Sequence, residues 1–350
     1  MAPQTMIRVN RMIAAPSMVA LLVGAAQTRV SNALAISAVA IMSASLGPAA
    51  CGGGSASGAA GGAGDATSST GGNGGSGMGA NCTPTMKFGG GETTMKGLSA
   101  TATVVDEKGL PVDANQPVYL CGIDICAPPG RTTAAGGVSI QSTLSMKGAA
   151  LKVGDGITYA ELAIPLAMLA TDFTTGGRVL SMGKLSDKPE ATLTPGASAT
   201  SGDVTMALAA DASVGIDTLL YTTPDSQKFR AVSIPMANEG PIFDRVAAST
   251  GGATFSLYYG VSPAETTICP AAKLTVELPH ATTSPNDLGW SAGTVVEFWV
   301  TTTDTGQTHA PYAGWAKMSD GVVAADGASA STTDGQGMTF LASFALRRKP

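Results

Sequence analysis

The side chains of this chain that could do chemistry are few: five cysteines, two histidines and a thin scatter of acids among 350 residues. Cys51 ends an uncharged run, Val30 to Cys51, and opens a Gly/Ser/Ala stretch in LGPAACGGGSASG. A cysteine at that junction suits lipid attachment, because acyl chains there would enter a bilayer while the flexible stretch holds the rest away. Cys121 and Cys126 bracket CGIDIC. Their spacing admits a loop-pinning disulfide, free thiols or two ligands of a zinc site. A disulfide is the preferred reading for an exported chain. Zinc would need further ligands from Cys82, Cys269 or a histidine, and His280 and His309 stand in no short Cys/His spacing. Cys82 and Cys269 form the remaining pair, and a crossed pairing is equally legal by count.

No catalytic set emerges. A Ser/His/Asp triad would have to use His280 or His309, and no Gly-x-Ser-x-Gly elbow presents a serine. Glycoside hydrolysis needs two opposed carboxyls. Glu277 and Glu297 are candidates, but outward acids on strands ordinarily serve solvation. Zinc-protease spacing is absent, GGGETTMKG lacks the ending of a phosphate loop, and the Asp-Gly pairs lack calcium-loop spacing. Trp290, Trp299, Tyr312 and Trp315 fall in the last seventy residues. Exposed aromatics on a β-sandwich can stack sugars or anchor partners, while aromatics in the core simply fill it; core filling is the ordinary reading, and PYAGWAKMSDG, with Tyr312 and Trp315, is the first place to look for a binding surface. No catalytic residue, cofactor or metal is expected.

Residues 1–51 read as an export signal. Arg8, Arg11 and Arg29 flank apolar patches, and small residues precede a cleavage point. Translation from Met6, Met12 or Met18 would shorten the region. A cleaved secretory signal, or an uncleaved helix of about twenty apolar residues, are the alternatives. Ala49, Ala50 and Cys51 resemble the lipobox of bacterial lipoprotein signal peptides; Pro48 stands where those signals usually carry an aliphatic residue. The resemblance implies acylation of Cys51 and a partner in membrane lipid, with the chain in the cell envelope, facing periplasm or exterior. Residues 52–81 lack the apolar content to bury a core and read as a flexible linker, spanning roughly 30 Å on average. A net charge of −5 with no basic stripe argues against nucleic acid.

From Cys82 onward the pattern is strand and turn. KLTVELP alternates Leu274, Val276 and Leu278 against Lys273, Thr275 and Glu277. ATFSLYY sets Phe255, Leu257 and Tyr259 on one face, and TVVEFWV sets Val296, Phe298 and Val300 against Glu297 and Trp299. Period-two alternation marks half-buried antiparallel strands, and Asp155-Gly156, Asp320-Gly321, Asp326-Gly327 and Asp334-Gly335 read as hairpin turns. ELAIPLAMLATDF is interrupted by Pro165 and reads as strand and loop. The Pro/Gly/Ser/Thr-rich stretch Thr192 to Asp203 marks a boundary. The expectation is all-β, with two antiparallel β-sandwich domains at 82–200 and 201–350.

The first of these contains Val104-Val105-Asp106, a turn Glu107-Lys108-Gly109, Leu110-Pro111-Val112, and later Ala134-Ala135-Gly136-Gly137-Val138. The layout resembles the carboxypeptidase regulatory-like, prealbumin-like β-sandwich modules over about 45 residues. In that family an Asp and an aromatic usually mark the later turn. The resemblance implies a scaffold, spacer or recognition role without peptidase chemistry. The functional expectation is a lipid-anchored envelope protein whose β-domains serve binding, adhesion or structure, with a glycan or an envelope protein as ligand. A carbohydrate-binding module or a secreted hydrolase is the alternative.

Overall fold

The structure, a computed structural model, describes Phe88 and residues 94–166, 173–236, 254–279 and 286–350. These residues are all-β, with no α-helix among them. The first seven strands are β1 (Thr94–Asp106), β2 (Pro117–Cys121), β3 (Gly130–Arg131), β4 (Gly137–Lys147), β5 (Ala150–Val153), β6 (Leu162–Pro165) and β7 (Phe173–Met182). They form two sheets, ordered β4-β1-β7 and β3-β2-β5-β6. Pairing is antiparallel except between β1 and β7, which run parallel. Alternation on β1 sends Leu98, Ala100, Ala102 and Val104 into one core, which Val118, Leu120, Leu151 and Ile164 join from the other sheet.

The turn after β1 follows from its chemistry. Asp106 Oδ1 accepts from the backbone N–H of Lys108 at 2.9 Å and of Leu110 at 2.8 Å. Gly109 takes φ +81°, where a side chain would be strained. Glu107 leaves the turn to accept from Lys188 Nζ and the Lys184 N–H, tying it to the segment after β7.

Eleven further strands follow: β8 (Ser198–Ser201), β9 (Val204–Ala207), β10 (Ser213–Gly215), β11 (Arg230–Ser233), β12 (Leu257–Ser262), β13 (Thr266–Glu277), β14 (Val295–Thr301), β15 (Trp315–Val323), β16 (Ser329–Thr332), β17 (Met338–Leu341) and β18 (Phe344–Arg348). They make one sheet, ordered β11-β12-β18-β14-β15-β16-β13-β9-β8, with β10 and β17 also pairing with β13. The two ends of this path approach each other: the Ala231 N–H on β11 donates to Ser201 Oγ on β8 at 2.9 Å. The sheet curls nearly closed around a second core, where Tyr259 stacks on Phe344 at 5.1 Å beside Phe298, Leu274 and Met206.

The two cores are not independent. Tyr258 on β12, Trp315 on β15 and Ala345 on β18 point the other way from their neighbours and enter the first core with Ile234 and Phe255. The described residues all fall in one compact unit. Thr192 to Asp203, expected as a boundary, contains edge strand β8, and Leu193 within it is buried in the second core. β12 is buried at every position, so it is covered on both faces rather than half-buried. Phe255 precedes β12 and packs away from Leu257 and Tyr259.

Asp326-Gly327 and Asp334-Gly335 sit in turns with positive φ at glycine, and Gly156 shares that conformation. Asp320-Gly321 is a correction. It lies inside β15, where a Cβ on Gly321 would collide with the Phe298 ring and the Ser331 carbonyl. The glycine is there for close approach, not for a turn.

Candidate functional site

A cleft of about 350 Å³ opens where the four-stranded sheet meets one end of the large sheet. That volume lies within the range of small-molecule sites. Lys152 comes from β5, and Glu161 immediately precedes β6. Thr301 ends β14, with Thr302 and Thr303 beyond it, and Glu265 stands just before β13. Tyr221 comes from a turn.

Each part is held locally. Glu265 takes φ +63°, a strained conformation for a residue with a side chain. Two hydrogen bonds keep it there: its N–H donates to the Leu341 carbonyl at 2.7 Å, and the Ala264 N–H donates to Tyr221 Oη at 2.8 Å. On the threonine side, the Asp304 N–H donates to Thr302 Oγ1. The Asp304 carboxylate accepts from the Gly306 N–H, the Thr308 N–H and Thr308 Oγ1. The Thr301 N–H donates to the Ser343 carbonyl at 3.0 Å.

At the centre, Thr303 Oγ1 lies 3.0 Å from Glu161 Oε1 and 3.1 Å from Glu265 Oε1. Lys152 Nζ lies 3.3 Å from the other Glu161 oxygen. A hydroxyl carries one proton, so Thr303 can donate to only one of the two acids. The other contact then needs a proton on a carboxyl. Burial first, and then the charge of Glu161, raise the pKa of Glu265 above the ordinary glutamate value. When Glu265 carries a proton, its O–H can donate to Thr303 and the Thr303 hydroxyl to Glu161, whose other oxygen pairs with Lys152. Burial, assisted by the two glutamates, also raises the phenols of Tyr221 and Tyr312, so both stay protonated. One acid and one carboxylate, with oxygens within about 6 Å, can seat a cation or move a proton; glycoside hydrolysis uses such a pair.

The rim carries the expected Cys121–Cys126 disulfide, whose residues line the cleft. Cys269 is disulfide-bonded as well, with a partner outside the described residues. Cys51 and Cys82 also lie outside them, as does His280. His309 stacks on Phe340 at 4.1 Å, and burial lowers its pKa against the pull of Asp304. Among the described residues no group of three or more His, Cys, Asp or Glu side chains is placed to hold a metal ion.

Tyr312 and Trp315 are packing residues. They are 8% and 6% exposed. Tyr312 packs with Cys121 and Ala150 beside the cleft, and Trp315 lies against Phe255 at 4.9 Å and Tyr258 at 5.8 Å. Neither ring is open to stack a sugar. Trp290 is buried in the second core. Glu277 is exposed on β13, whereas Glu297 is buried on β14 and bound by Arg347 at 2.7 Å. Two strands, β15 and β16, stand between them, which puts them roughly 14 Å apart. They do not form an opposed pair.

The carboxylates that do meet, Glu161 and Glu265, were not singled out from the sequence. They lie 142 and 38 residues from Thr303, and no local spacing joins them. The only signal was an acid beside a strand in ELAIPL and another in a proline turn, SPAETT.

Comparison of the chain with family models, with curated proteins and with solved structures finds no match.

Proposed function

We propose that this chain is an exported protein, tethered to a membrane through lipid on Cys51, whose β-rich body binds a ligand without catalysing a reaction. The observation that carries export is that all three described cysteines, Cys121, Cys126 and Cys269, are in disulfides. Structural disulfides belong to oxidising compartments, and such a compartment agrees with the signal-like residues 1–51 and the lipobox-like Ala49-Ala50-Cys51. In this reading Cys51 carries acyl chains, so Cys82 is the cysteine left for Cys269. The module resemblance at Leu98 to Gln141 and the cleft beside it support binding as the task of the body.

Labelled palmitate fed to expressing bacteria tests the anchor. The wild type is expected to incorporate label and to partition with membranes, and Cys51→Ala to do neither. Equal absence of label in both proteins, or label that survives the substitution, contradicts it.

A further inference from the structure

We propose that the seam cleft is a binding site for a small organic molecule that carries a primary ammonium group on an apolar body. Three independent features of the cleft lead there. The first is a shortage of donors. Glu161 and Glu265 both point an oxygen at the one hydroxyl of Thr303, which can donate to only one of them, so once both acids are ionised one oxygen lacks a donor. An ammonium has three N–H donors and no acceptor, so it can satisfy both acids and restore the balance of charge. Lys152 does not fill this role, because its ammonium engages the far oxygen of Glu161.

The second feature is an unused hydroxyl. Thr301 is 7% exposed and lines the same cleft, and its Oγ1 has no hydrogen-bond partner. A buried polar atom left in that state costs about 1–3 kcal/mol, which a ligand donor drawn into the cleft beside it would relieve. The third is the apolar wall. Leu220 stands 57% exposed and lines the cleft with Pro117, Ala163, Ala264 and Ala342. A hydrocarbon body covers that surface on binding. A metal ion fits poorly, since the described residues offer no third acid or histidine in a cluster.

Binding must be linked to protons. The groups that act on Glu265 are Glu161, Lys152, Thr303 and Asp304, with the phenols of Tyr221 and Tyr312 in the same field. Among these carboxyls, Glu265 is the one whose pKa burial and the charge of Glu161 raise. An ammonium seated between the two glutamates replaces the proton of Glu265, which is released. Affinity therefore rises with pH until Glu265 is ionised in the free protein, by up to about tenfold per pH unit.

This inference rests on the binding reading and is independent of the lipid anchor. The test is calorimetric titration of the full-length protein with hexylammonium chloride and with hexan-1-ol, its neutral counterpart, between about pH 4.5 and 8. The expected result is saturable binding of the amine, at least about tenfold tighter than the alcohol, strengthening with pH and releasing protons to the buffer. Glu161→Gln and Glu265→Gln should each weaken amine binding by about tenfold, and Glu265→Gln should abolish the proton release. Equal binding of amine and alcohol, pH-independent amine binding, or no saturation overturns it. The wild-type comparison needs no variant to fold. Failure here with intact palmitate labelling removes the ligand class and leaves the anchor standing; the reverse pattern does the opposite.

Discussion

Glu265 is where burial, strain and charge meet in one side chain. Its folded pKa lies above the ordinary 4.5 of glutamate, first because it is buried and second because Glu161 is beside it. In the pH interval between those two values the folded chain holds a proton that the unfolded chain has lost. Folding stability from this group is therefore complete below about 4.5 and declines as pH rises through the folded pKa. Denaturant unfolding midpoints across that interval should fall less steeply in Glu265→Gln than in the wild type. Parallel curves for the two proteins would show that Glu265 titrates normally. Asp304 and Asp320 shift the other way: burial would raise each, and their donors, Thr308 and Gly306 for one and Lys349 and Lys317 for the other, outweigh it. The test for Glu265 is accordingly the difference between the two proteins and not the wild-type slope. None of this was legible from the sequence, because pKa shifts depend on neighbours that the fold brings from distant segments.

At the scale of elements, the alternation of KLTVELP and TVVEFWV was legible because each strand has one strongly apolar face. Leu274, Val276, Val296 and Phe298 all enter the second core. What alternation hides is the cover on the other face. Trp299 and Glu297 face away from that core, yet Trp299 packs under Arg347 at 4.5 Å and donates to Glu297 from Nε1. A polar residue opposite an apolar row looks like a solvent face in sequence, whereas here it is a buried ion pair. The Asp-Gly rule misled at Gly321 for a related reason: glycine serves tight packing as well as turns. Gly321→Ala should cost about 1–3 kcal/mol by overpacking against Phe298 and the β16 backbone, measured by chemical denaturation. A neutral outcome would show that β15 and β16 have room to separate. Gly335→Ala meets no neighbour within 4 Å, so its cost is confined to the strain of φ +74°.

At the scale of the whole molecule, the all-β class was readable from strand patterning, and the disulfide at CGIDIC from the spacing taken with an expected export signal. The shared core was not. Tyr258, Trp315 and Ala345 leave one sheet to complete the core beside another, and a linear reading that divides the chain at a Gly/Pro-rich stretch assigns such residues to a surface. Tyr312 and Trp315, whose clustering allowed either core filling or a binding surface, fill the core. The cleft exists because the two parts meet, which is why its acids are scattered over the chain. The proposal that this body is exported and lipid-anchored turns on how five cysteines are allotted, since two are joined to each other and a third is disulfide-bonded. Mass mapping of peptides from the envelope-isolated protein, digested without reduction, reads that allotment directly. The account predicts an acylated Cys51 at the mature N-terminus and a peptide containing Cys269 joined to one containing Cys82. A peptide joining Cys269 to Cys51 would leave the Cys51 sulfur unavailable for lipid and would contradict the account.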